Sequence, residues 1–227
     1  MKHLLTAAIF LLSISSFAQN LEKDQLWRTK GVYDSLGNFV ERAKIQSFLY
    51  SAAPNQLYRL NTKDRMNMET GETTVFVFRD TLQLASTKDK TFKLNDEEVL
   101  KIHSKDSLTI HFNGYTLPYV KLDVKPKRVN FKKFTSKLMD IPFIESVDDV
   151  KAYQLTYQDT NLVNIKPVDS DSGWDSDYKL IDFHGFIIIQ GIVSAPKLIT
   201  EIEKDTIHFL QIDYRFENKK GKLIRKR

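Results

Sequence analysis

Residues 98–122 run EVLKIHSKDSLTIHFNGYTLPYVKL. Leu100 and Ile102 alternate with polar neighbours, and so do Leu108, Ile110 and Phe112, the period of two that half-buried strands show. Pairing Ile102 with Leu108 puts all five on one face and leaves His103–Ser107 as the connection, a length that hairpins use. Asn113-Gly114 supplies the next turn, and a third strand follows over 119–124. The segment predicts an antiparallel meander.

The same grammar extends in both directions, with short runs of Val, Ile, Phe, Tyr and Thr broken by Asn, Asp, Gly or Lys. Strands are predicted over 39–50, 57–60, 73–78, 81–85, 98–102 and 107–112. Beyond 119–124 they recur over 152–157, 178–182, 185–193, 198–203, 206–216 and 222–225. A basic residue, Asp and Ser or Thr open an alternating strand three times: Arg79-Asp80-Thr81, Lys105-Asp106-Ser107 and Lys204-Asp205-Thr206. In each, the Asp side chain is expected to close a turn on nearby amides.

Helix is scarce. Asn130 is suited to cap a helix over 130–139, with Phe131, Phe134 and Leu138 on one stripe and Pro142 beyond its end. A short helix around Leu21–Trp27 is the second candidate. The fold class is therefore mostly β: antiparallel barrel- or sandwich-like units with one or two short helices. The charged stretch Val124-Lys125-Pro126-Lys127-Arg128 divides the chain into a unit over 19–124 and a β-rich unit over 125–227. Residues 98–122 and 197–225 repeat one plan of strand, turn, strand, Gly turn, strand, which fits two related units or one continuous domain.

The stretch from Trp27 to Leu122 is similar to the small lipocalin-like β-barrels that Gram-negative bacteria export. The matching residues are Trp27 with Gly31 after it, and Phe92–Leu122 with its Asp106-Ser107-Leu108-Thr109-Ile110 strand opening. Gln25 stands where lipocalins carry the Gly of their Gly-x-Trp. The resemblance implies an up-and-down barrel whose interior either holds a small apolar molecule or is filled.

The beginning of the chain reads as an export signal over 1–18. Lys2 and His3 precede the uncharged run Leu4–Leu12, and Ser16-Phe17-Ala18 offers a cleavage site before Gln19. The expectation is a periplasmic or secreted product, with no transmembrane anchor after cleavage. With 41% apolar residues, 15 Phe and 9 Tyr, the chain has the material for a packed core. It has no cysteine, which excludes disulfides, thiol catalysis and thiolate metal sites. The formal charge of +5 is misleading, because six of the last nine residues, Lys219 to Arg227, are basic and none is acidic. That end is a candidate for contact with an envelope component, or else a solvated last strand; an exported location argues against nucleic acid as partner.

No phosphate-binding glycine loop, His-Glu-x-x-His or Gly-x-Ser-x-Gly is present. Ser194-Ala195-Pro196-Lys197 spells Ser-x-x-Lys, but it lies in a β-rich stretch without the companion motifs of penicillin-recognising enzymes. His208 shares strand parity with Leu210, Ile212, Tyr214 and Phe216, which marks it as a polar group on an apolar face. His208, Tyr214, Phe78 and Tyr119 are the candidate ligand-contacting residues. Asp169, Asp171, Asp175 and Asp177 around Gly173-Trp174 form a candidate calcium loop, although their spacing is not that of an EF-hand. No cofactor and no catalytic residue is expected. The expected function is an exported, non-catalytic, lipocalin-like binding protein for a small apolar ligand. The alternative is an envelope or surface interaction protein with a filled barrel and a basic C-terminal tail.

Overall fold

The computed structural model describes residues 21–40, 46–53, 55–71, 73–86, 90–125, 129–192, 194–213 and 217–226. Residues 1–18, read above as an export signal, Tyr214 and part of the charged boundary lie outside them. The described chain is mostly β, with one helix between two β-systems.

The first system is a nine-stranded antiparallel sheet ordered β4-β3-β2-β1-β9-β8-β7-β6-β5. Its strands are β1 (Gln25–Thr29), β2 (Gln46–Ala53), β3 (Gln56–Met66), β4 (Thr73–Gln83), β5 (Ala85–Ser86), β6 (Thr91–Lys93), β7 (Glu98–Ser104), β8 (Ser107–Phe112) and β9 (Tyr115–Leu122). Ile102 pairs with Leu108 as the alternation requires, and Asn113 and Gly114 both have positive φ between β8 and β9. That is the geometry of a two-residue hairpin turn matched to the strand twist. The sheet curls into a trough, and Trp27, Leu49, Leu57, Leu82, Leu100, Leu108, Ile110 and Tyr119 fill it. Arg59 on β3 reaches across the curl, binding Glu98 on β7 at 2.6 Å and Asp80 on β4 at 2.8 Å. Asp80 is thus an ion-pair residue inside one long strand, not a turn, whereas Asp106 and Asp205 do lie in turns. The helix expected at Leu21–Trp27 is absent; β1 occupies its second half.

The second system is a closed antiparallel barrel of eight strands. They are β10 (Pro142–Val147), β11 (Val150–Tyr157), β12 (Leu162–Pro167), β13 (Trp174–Phe183), β14 (Phe186–Gly191), β15 (Lys197–Ile202), β16 (Thr206–Gln211) and β17 (Lys219–Arg225). β17 pairs with both β16 and β10 and closes the cylinder. The closed barrel that the resemblance implies for the first half therefore lies in the second half, while the first half is an open, filled trough. Gly221 is a strand residue, not the turn glycine that the repeat suggested.

Helix α1 (Phe131–Leu138) is where the sequence places it, with the Asn130 side chain accepting from the Lys133 amide at 2.9 Å. Phe134 and Leu138 insert among Phe143, Leu155, Ile199, Ile207 and Leu223 and plug one end of the barrel. The two systems share a third core: Leu26, Phe48, Tyr50, Leu60 and Leu122 of the trough pack on Ile181, Phe183, Phe186, Ile188, Leu198 and Ile212 of the barrel's outer wall. Among the described residues no helix is long and apolar enough to cross a membrane.

Candidate functional site

Strand alternation points one set of side chains into the barrel. Adjacent strands place Glu145 beside Tyr153, Tyr157 beside Val163, Ile165 beside Trp174, and Ile189 beside Lys197. At the end opposite α1 these residues do not fill the interior. They line a cavity of about 440 Å³, together with Leu155, Ser176, Tyr178, Ser194 and Gln211. This is within the range of small-molecule sites, about 300–1,000 Å³.

Three zones follow from the lining. At the rim, Trp174 and Tyr153 are partly exposed and meet edge to face, ring centroids 6.2 Å apart. The wall is apolar and aromatic: Leu155, Val163, Ile165 and Ile189, with Tyr157 and Tyr178 edge to face at 4.9 Å. Against the wall, Lys197 Nζ donates to Glu145 Oε2 at 3.0 Å, with only 14% and 10% of the two side chains exposed. The ammonium also lies 5.8 Å from the Phe209 ring centroid, within reach of a cation–π attraction. Burial, the Glu145 charge and Tyr178 hold the Tyr157 phenol well above its usual range, so it stays a neutral hydroxyl. The Tyr178 phenol is likewise raised, by burial and Asp159, whose carbonyl it meets at 2.5 Å.

An ion pair of this kind is expensive to bury. It holds only where geometry is good and neighbouring dipoles complete it, and removing one partner strands the other. Its position in a cavity wall, rather than in the packed plug at the far end, marks the polar locus of the site.

The sequence-predicted residues fall mostly elsewhere. His208 has the predicted parity, but Ile207 and Phe209 point into the barrel and His208 points out. Both faces of β16 are apolar because its outer face, at Leu210 and Ile212, is covered by the trough; parity alone could not tell interior from interface. On that outer side His208 Nε2 lies 3.4 Å from Glu203 Oε1. A bulge in β15 after Ile199 turns Glu201 toward it. Tyr119 is buried in the trough, its hydroxyl donating to Ser47 Oγ at 2.8 Å and burial pushing its pKa up to about 12. Phe78 is 55% exposed on edge strand β4, stacked with Phe76. None of the three lines the cavity. Tyr214 lies outside the described residues.

The four aspartates also separate. Asp169 is exposed, Asp171 faces Lys166 at 3.7 Å, Asp175 accepts from Asn164 at 2.8 Å and Gln158 at 3.1 Å, and Asp177 reaches the cavity wall. Among the described residues the set of three donors lying within 4.8 Å of one another is Glu201, Glu203 and His208 instead. The basic end is no free arm. Lys219, Lys220, Lys222 and Arg225 belong to the closing strand, with Lys222 on Asp149 at 3.1 Å and Lys219 on Asp148 at 3.4 Å.

The residues missed by sequence reasoning are Glu145, Tyr153, Tyr157, Trp174, Tyr178 and Lys197. One signal was present: Lys197 is the lysine of the Ser-x-x-Lys stretch. Its hydrogen-bond partner is a carboxylate across the barrel, and the stretch forms the β14–β15 connection, not a helix.

No family model, curated protein or solved structure matches the chain.

Proposed function

We propose that the chain is an exported, non-catalytic binding protein that holds a small apolar molecule in the barrel of β10–β17. The observation that carries this reading is the cavity itself: one end of the barrel is plugged by α1, and the other is left unfilled behind an aromatic rim. A barrel needed only as scaffold would gain stability by filling that end with side chains, since voids forfeit dispersion contacts.

Trp174 makes the reading measurable. The chain has two tryptophans; Trp27 is buried in the trough and Trp174 stands at the rim. A ligand entering the barrel changes Trp174 emission and leaves Trp27 as an internal reference. Saturable quenching by apolar probes, lost in Trp174→Phe while a thermal shift persists, is the expected result. No saturable response, and no ligand retained on native mass spectrometry of protein from its own host, would remove the proposal. Sequencing the amino terminus of that protein tests export, with cleavage expected before Gln19.

A second reading, surface interaction, is favoured by edge strand β4. Phe76 and Phe78 stack there in the open, with Met66 and Met68 on the same hairpin. An exposed apolar edge invites pairing with another chain. Phe76→Ser with Phe78→Ser, assayed for loss of envelope association, separates this reading from the first.

A further inference from the structure

We infer that the cavity selects an uncharged ligand: an elongated apolar body whose polar head is a neutral donor and acceptor, such as a hydroxyl or a primary amide. This rests on the binding function proposed above and names the chemistry of the same site. The polar locus of the wall is the Lys197–Glu145 pair at 3.0 Å, whose charges cancel. A hydroxyl set beside it can accept from the ammonium and donate to the carboxylate, so both buried ions keep their hydrogen bonds and no net charge is introduced.

Either ionic head does worse. A carboxylate must displace Glu145 from the lysine or share it. An ammonium must leave water and settle beside the Lys197 charge, with Glu145 already engaged. Both ions lose hydration beside a pair whose two charges already satisfy one another. The wall suits the rest of the molecule, since Leu155, Val163, Ile165 and Ile189 give an aliphatic sleeve and Tyr153 and Trp174 an amphipathic collar.

The test uses the full chain and three probes with one tail: decanol, decanoate and decylammonium, titrated at neutral pH and followed by Trp174 emission and calorimetry. Decanol is expected to bind at least about tenfold more tightly than either ion, a difference of roughly 1.4 kcal/mol. Decanoate or decylammonium binding as well as decanol overturns the inference and leaves the binding function standing. Failure of all three to bind removes the binding function as well. Glu145→Gln and Lys197→Met give a second arm. With the carboxylate neutralised, decanoate should gain on decanol; with the lysine removed, decylammonium should. Should either variant fold poorly, the ranking of the three heads on the unaltered chain still decides.

Discussion

Phe209 occupies the space a side chain at Gly221 would need. The two are cross-strand partners on β16 and β17, and a Cβ built on Gly221 would stand 2.3 Å from Phe209 Cζ. The glycine lets the ring lie against the backbone of the closing strand, beneath the Lys197 ammonium. Gly221→Ala should therefore force Phe209 aside and destabilise the barrel by about 1–3 kcal/mol, the usual range for overpacking. Urea unfolding measures the loss. Recovery in Gly221→Ala with Phe209→Leu would tie it to this contact.

The Lys197–Glu145 pair makes a second prediction. Lys197→Met alone strands a buried carboxylate and should lower stability by about 3–5 kcal/mol. Pairing it with Glu145→Leu removes the stranded charge and should restore most of that loss. Equal stability of the single and double variants would mean that water already solvates Glu145 through the cavity mouth.

The junction between trough and barrel predicts a pH dependence. His184 stacks on Tyr50 at 4.9 Å and on Tyr58 at 4.0 Å, and burial, with Arg79 next in effect, lowers its pKa while Asp182 opposes the shift. Because the folded pKa lies below the unfolded one, about 6.5, the unfolded chain binds more protons in the window between them. The contribution is fully present above the unfolded value and is lost as pH falls through the folded one. Unfolding measured at neutral and mildly acidic pH should show weaker folding in acid. His184→Phe should flatten part of that slope; an unchanged slope would assign it to His111, whose pKa is also lowered, first by burial and then by His103 and Lys101.

The core shared by the two systems predicts that they unfold together. Phe186 is buried against Tyr50 across the junction, centroids 5.9 Å apart. Phe186→Ala should cost about 3–5 kcal/mol and lower the transition of both halves, read separately by Trp27 and Trp174. Two resolved transitions in the unaltered chain would show the halves to be energetically independent.

Residues that face a packed core on one side and water on the other announced themselves. The span of β8, the Ile102–Leu108 register and the Asn130 cap are all readable from alternation and capping chemistry. β1 was hidden because all five of its residues are buried, which erases the polar half of the pattern. The start of β13, Trp174-Asp175-Ser176-Asp177, was hidden for the opposite reason. Its inward residues line a cavity, not a core, and so need not be apolar. Glu145 and Lys197 break their strands' alternation on the same ground. The cavity was illegible because a void leaves no apolar signature, and because its opposed ions stand 52 positions apart.

β10 and β17 meet at residues 143 and 225, and every other seam of the barrel joins neighbours in the chain. The hairpins can therefore assemble in order from the amino-terminal end, but only an open gutter can exist until the strand that carries Leu223 is in place. Any chain interrupted before that point would expose the greasy inner lining along its whole length, so premature termination should yield material for proteases and aggregates rather than a shortened but folded barrel.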